Sequence, residues 1–156
     1  MDANCLIGLS KVQMETLPLQ LYSKVIIPPA VLAEFGGVVE GYIVQSPSNR
    51  VIVQTLRLML GAGESEVIAL GVELSQGGEQ VEMVLDDLQA RRIALSYGLR
   101  IVGTVGLLIR AKQSGYAVGC PAHPTTFARL CAARQCCWKP RPIRLVPSVA
   151  LARHVP

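Results

Sequence analysis

The chain alternates short apolar runs with stretches of helical periodicity. Lys24-Val25-Ile26-Ile27 is a run of β-branched residues and reads as a strand. Glu82 to Leu85 and Arg100-Ile101-Val102-Gly103-Thr104 read the same way. Helical spacing is expected over Asn4 to Val12, with Leu6, Ile7 and Leu9 facing inward, and over Met14 to Tyr22. Pro28-Pro29 ends the first strand and opens a helix through Val31, Leu32, Glu34 and Phe35, which Gly36-Gly37 stops. Further helices are predicted from about Glu64 to Leu74, from Leu88 to Tyr97, and from Val105 to about Gln113 with Thr104 as its N-cap. Residues 38–60 show no clear period, although Arg50 to Gln54 reads as a strand. Strand, helix, strand, helix, strand in this order predicts a parallel sheet with crossover helices.

The character changes after Tyr116. Residues 117–156 hold six of the ten Pro, four of the five Cys, both His and no acid. Apart from a candidate helix around Thr125 to Arg134 no period persists there. The expected organisation is one domain over residues 1–115 and a C-terminal extension of weak intrinsic order over 116–156.

Composition narrows the class. The core is aliphatic and poor in aromatics, as suits helices packed on a parallel sheet. No apolar run reaches the roughly 18 residues of a membrane span, and no basic-then-apolar leader opens the chain. An odd number of Cys, clustered late, does not resemble a secreted disulfide framework, so a reducing cytoplasm is expected. Residues 1–87 carry all 11 acids against four bases, whereas residues 88–156 carry 11 bases and no acid. Acidic and basic regions side by side suit a polyanionic substrate gripped by Arg and Lys, with metal ions offsetting the carboxylates. A solvated basic tail explains the same count.

The acids that carry candidate chemistry are Asp2, Glu34, Glu64, Glu66, Asp86 and Asp87. Asp86-Asp87 ends a strand, where open α/β sheets keep their active sites. Three or four carboxylates from separate elements can hold Mg²⁺ or Mn²⁺, which activate water and stabilise charge on a phosphodiester. Such chemistry needs no nucleophilic side chain, and residues 1–116 contain no His. Each acid also has a structural explanation. Asp2 suits the N-cap of the first helix, Glu34 a solvated helix face, and Glu64 and Glu66 a first helical turn. One of Asp86 and Asp87 suffices to cap the helix at Leu88. A zinc site from Cys120, His123, Cys131, Cys136 and Cys137 has one tight pair and an irregular second half. A phosphate loop at Gly61-Ala62-Gly63-Glu64 lacks the Gly-Lys pattern and sets acids where phosphate would sit.

Five segments, in order, resemble the PIN-domain nucleases, in particular small prokaryotic PIN proteins related to VapC-type toxins. They are Asp2 to Leu9, Val25 to Glu34, Gly63 to Leu70, Leu85 to Arg92 and Val102 to Lys112. The resemblance implies a PIN-like three-layer α/β fold, a central parallel sheet flanked by helices, with acids at its C-terminal edge. It implies Mg²⁺- or Mn²⁺-dependent hydrolysis of RNA, a small antitoxin as partner, and pairing into homodimers. Asp2, Glu34 and Asp86 match its acidic positions, Glu64 and Glu66 both match the Gly-Glu-x-Glu motif, and Asp87 is a secondary metal candidate. Asn4 is a candidate to orient Asp2. Arg91 and Arg92 are candidates for phosphate contact, with carboxylate pairing the alternative for Arg91. Two departures stand out: only Met1 precedes Asp2, so the first strand reads as truncated, and residues after Lys112 lose the family pattern. A late start codon with a frame-shifted tail would account for both. The alternative function is a catalytically inactive PIN-like domain that binds RNA or protein.

Overall fold

The computed structural model describes residues 1–116. Helix α1 (Ala3–Lys11) buries Ala3, Cys5, Leu6 and Leu9, whose spacing puts them on one face. A short α2 (Leu17–Leu21) carries Pro18 in its first turn. Strand β1 (Ile26–Ile27) ends at Pro28, and α3 (Pro29–Phe35) starts on Pro29, a proline preset for the first helical position. Gly36 stops α3 with φ +72°, in the left-handed region that favours glycine. Then come β2 (Ile43–Val44), α4 (Arg50–Leu56), α5 (Ala62–Gln76), β3 (Glu82–Val84), α6 (Leu88–Ser96), β4 (Arg100–Val102) and α7 (Thr104–Gln113).

Two parallel strand pairs form the sheet layer. β1 pairs with β2, setting Ile26 opposite Ile43, and β3 pairs with β4, setting Met83 opposite Ile101. The Met1–Asp2 segment lies between the pairs. Its Met1 nitrogen donates to Ile26 O (3.1 Å) on β1, and Asp2 N–H donates to Val84 O (3.0 Å) on β3. One extended peptide thus joins β1 to β3, where the sequence left doubt about a first strand. α5 runs through the core with Val67 to Val72 all buried. It packs on α3, α4, α6 and β3. A Cβ on Gly71 would stand 2.5 Å from Met83 Sδ, so the bare Gly71 leaves room for the Met83 side chain between α5 and β3. α1 packs on α3 and α7 around Leu6, Leu9 and Leu107.

The fold is the α/β arrangement the sequence predicts, with three local differences. Arg50–Leu56 is helical although Val51, Ile52 and Val53 favour a strand. Asn49 accepts from Ile52 N–H (3.1 Å), and Glu73 on α5 accepts from Ser48 and Asn49 N–H, so the helix start is tied from two sides. β2 goes unread in the sequence because its two residues are half-exposed and too few to show a period. Thr104 is not the N-cap of α7: Gly103 holds that place, and the Thr104 hydroxyl is turned to Asp86. The expected helix at Thr125–Arg134, the Cys120–Cys137 zinc candidates and the expected extension beyond Tyr116 lie outside the described residues.

At the end of β3 away from Asp86, Glu82 accepts from Arg110 and from Tyr22 OH, and Arg110 also donates to Tyr22 OH (2.8 Å). This cluster ties α7 and the residue after α2 to the sheet. Burial pushes the Glu82 carboxyl up, but hydrogen bonds from Arg110 and Tyr22 overturn that and hold it below its ordinary range. A lowered carboxyl contributes stability that is present above its unfolded pKa and lost as pH falls through the folded one. Because the Arg110 side chain is 43% exposed, Arg110→Gln should cost only about 1 kcal/mol near neutrality. In urea unfolding, that cost should shrink as pH falls below the carboxylate range. A pH-independent cost would show that lost packing, not charge, explains it.

Candidate active site

The parallel strands bring their C-terminal ends to one edge, and the candidate acids gather along it. Asp2 follows the Met1 bridge, Glu34 lies on the helix after β1, and Asp86 follows β3. Thr104 opens the helix after β4. Asp2 forms the floor. It is 0% exposed, and neither carboxylate oxygen has a hydrogen-bond partner. It occupies the N-cap position of α1, yet its side chain makes no capping bond. Burial pushes the Asp2 carboxyl up to about 6, and the nearby Glu64 charge adds to the rise, while the Asn4 and Ala3 amides, which fall short of hydrogen-bond geometry, and the Met1 ammonium pull the other way. Asn4 itself is exposed.

Glu64 and Glu66 take separate directions because residues two apart on a helix lie on opposite sides. The Glu64 carboxylate folds back over Gly61 within reach of the Asp2 charge. Glu66 is already occupied: it accepts from Ala30 N–H (3.1 Å) in the first turn of α3 and pairs with Arg57 (3.1 Å). Glu34 accepts from Gly63 N–H (3.0 Å), and a Cβ on Gly63 would stand 2.9 Å from Glu34 Oε2. Glycine at 63 therefore gives Glu34 its seat at the start of α5.

The aspartate pair divides its labour. Asp87 accepts from Ala90 N–H (2.7 Å) and caps α6. Asp86 accepts from Thr104 N–H (2.8 Å) and Thr104 Oγ1 (2.6 Å). Burial pushes the Asp86 carboxyl up, but the Thr104 hydrogen bonds, the Cys5 thiol and the Arg91 charge overturn that and hold it below the ordinary range. Arg91 stands over Gly103 beside Asp86 and forms no ion pair among the described residues. Arg92 is exposed.

Two contributors escaped the sequence reading. Cys5 is fully buried and feels the charge of both Asp86 and Asp2. Burial, the largest cause, pushes its thiol up to about 12. Its spacing of three from Asp2 on a helix was the available signal. Gly63 was read only as part of a motif, not as the seat of Glu34.

The described residues hold no group of three or more His, Cys, Asp or Glu drawn together tightly enough to be a ready metal-ligand set. The fit to a cation rests instead on Asp2: a buried carboxylate with two orphaned oxygens, within the field of the Glu64 carboxylate, is what a divalent cation would satisfy.

Parallel βαβ units with carboxylates along the C-terminal edge define an α/β domain with an acidic sheet edge, where open α/β sheets bind their ligands. A family model described as a PIN domain matches residues 1–137, and the chain belongs to that family. PIN domains are as a class nucleases that bind nucleic acid and use divalent metals. No curated protein and no solved structure matches the chain. Among the described residues no helix is long and apolar enough to cross a membrane.

A carboxyl raised on folding lowers stability as pH rises from its unfolded toward its folded pKa. Asp2 should therefore cost the metal-free protein about 3 kcal/mol by pH 7, developing between the ordinary aspartate range and about pH 6. Urea unfolding of wild type and Asp2→Asn in chelator, from acid to neutral pH, reads this as a widening difference in favour of the variant. A difference that stays flat across that range would contradict the burial of an unpartnered charge.

Proposed function

We propose that this protein is a divalent-metal-dependent endoribonuclease whose metal is Mg²⁺ or Mn²⁺. The observation that carries the reading is Asp2, buried with neither oxygen hydrogen-bonded and close enough to Glu64 to feel its charge. Asp2, Glu64 and Asp86 would hold the cation, with Glu34 at the rim. When bound, the cation would supply an activated water and offset charge on the phosphodiester. The protein's own groups prepare that step. Thr104 keeps Asp86 ionised and fixes its orientation. Gly63 N–H holds Glu34 in place. Arg91, beside Asp86, would take a substrate phosphate, and Arg92 would add to the basic rim. Glu66 and Asp87, both candidate metal ligands in the sequence, serve better as structural groups, since their oxygens already accept from α3, Arg57 and α6.

The finer assignments rest on the resemblance and composition. A toxin role with a small antitoxin partner and a homodimer follow the likeness to VapC-type proteins, and an adjacent antitoxin-like reading frame would support the first. A reducing cytoplasm agrees with a free, buried Cys5. A division near residue 115 stands as our reading, although the family match runs to residue 137. The second functional reading, a PIN-like domain that binds RNA or protein without cutting, is favoured by the lack of a gathered three-ligand set among the described residues.

RNA cleavage in Mn²⁺ separates the two. Wild type should cut, Asp86→Asn should lose roughly a hundredfold or more, and Glu66→Gln should keep most activity. Equal cleavage by wild type and Asp86→Asn would sink the metal-nuclease mechanism, and no cleavage by wild type would favour the binding reading.

A further inference from the structure

The glycines among the described residues are of two kinds. Gly36, Gly41, Gly78, Gly98 and Gly115 have positive φ, which glycine adopts without strain. Gly61 and Gly103 do not: their φ of −64° and −96° suit any residue. Yet each lies against a carboxylate of the acidic edge. A Cβ on Gly61 would run into Glu64 Oε2, and one on Gly103 would stand 2.9 Å from Asp86 Oδ1. Gly63 stands in the same relation to Glu34. Gly61 and Gly103 also hold the N-cap places of α5 and α7. Glycine is a fair N-cap, but Ser, Asp or Asn caps as well or better, so capping alone does not call for a bare Cα at both places.

Both backbones are pinned. Gly61 O accepts from Ser65 N–H (3.1 Å) and from the Ser65 hydroxyl (2.6 Å), and Ser65 is fully buried. Gly103 O accepts from Leu107 N–H (2.9 Å), and Val102 O, just before it, accepts from Leu85 N–H (3.0 Å). An added methyl therefore displaces the carboxylate rather than the main chain. Glu64 meets it with the far end of a flexible side chain, which swings aside. Asp86 is short and tied to Thr104 N–H (2.8 Å) and Thr104 Oγ1 (2.6 Å), so its displacement breaks those bonds. We propose that Gly61 and Gly103 are positioning residues of the acidic edge: their bare Cα atoms leave the space in which the Glu64 and Asp86 carboxylates lie, and so set the direction in which the two acids face. That these directions serve RNA cleavage rests on the proposed nuclease reading.

Urea unfolding of the full chain in chelator tests the seat itself, apart from any activity. Gly103→Ala should lower the urea midpoint. Added to Asp86→Ala, the same change should lower it at most roughly half as much, because the methyl then meets no carboxylate. The loss of glycine as a cap is common to both backgrounds and cancels. An equal fall in both would overturn the seat. RNA cleavage in Mn²⁺ tests its use. Gly61→Ala and Gly103→Ala keep every charge, yet each should lose roughly tenfold or more in kcat. Added to Glu64→Ala, Gly61→Ala should cost nothing further, since it acts through that carboxylate. Gly8→Ala is the control: a Cβ there meets nothing within 4 Å, and the variant should cut as wild type does. If wild type cuts and both glycine variants match its rate, the positioning role is overturned and the nuclease reading stands. A wild type that does not cut RNA overturns the nuclease reading and the positioning role with it.

Discussion

A buried carboxylate whose oxygens meet no protein donor is the constraint on which the rest of this structure depends. Burying a carboxylate without donors costs several kcal/mol, and such groups persist only where a proton, a cation or an opposite charge answers them. Among the described residues the Met1 ammonium is an opposite charge that acts on Asp2, but burial pushes that ammonium down to about 6, and Glu64 acts with the same sign as Asp2. Nor can the residue simply turn away. Its N–H is bonded to β3, its carbonyl accepts from Leu6 N–H in α1, and the preceding nitrogen is bonded to β1. The sheet layer is continuous through this one peptide, so the bonds that join β1 to β3 also hold the acid at the floor.

Around that floor the other carboxylates are each assigned by the donors they meet. Glu66 is consumed by the start of α3 and by Arg57, and Asp87 by the start of α6. Asp86 is kept ionised by two hydrogen bonds from Thr104 yet stays exposed. Glu34 keeps one oxygen beyond its bond to Gly63. Six acids lie along the same edge, and of these Glu66 and Asp87 are held by helix starts while Asp2 and Glu64 act on each other through their charges. This division explains how one edge can carry so much negative charge and still fold: the donors at four helix starts absorb part of it.

The larger pattern was legible in the chain because period and punctuation agreed. Pro28-Pro29, Gly36 and the runs before Asp86 and Gly103 mark the elements with local chemistry, and these elements form as expected. What stayed hidden depends on tertiary partners. The helix at Arg50–Leu56 overrides β-branched residues through Asn49 and through Glu73, which is 24 residues away. The choice between Glu64 and Glu66 needs the position of Ala30, which no local spacing contains. The place of Asp2 was doubtful because a one-residue lead looks too short for a strand, whereas two backbone hydrogen bonds are enough to seat it.

On the proposed reading Asp2 and its neighbours hold a divalent cation, whereas Glu66 is taken by Ala30 and Arg57. The most direct measurement is Mn²⁺ binding followed by electron paramagnetic resonance of the free ion, comparing wild type, Asp2→Asn and Glu66→Gln. Wild type and Glu66→Gln should remove Mn²⁺ from solution with similar affinity, and Asp2→Asn should weaken binding at least roughly tenfold. Binding by Asp2→Asn as tight as that of wild type would contradict it.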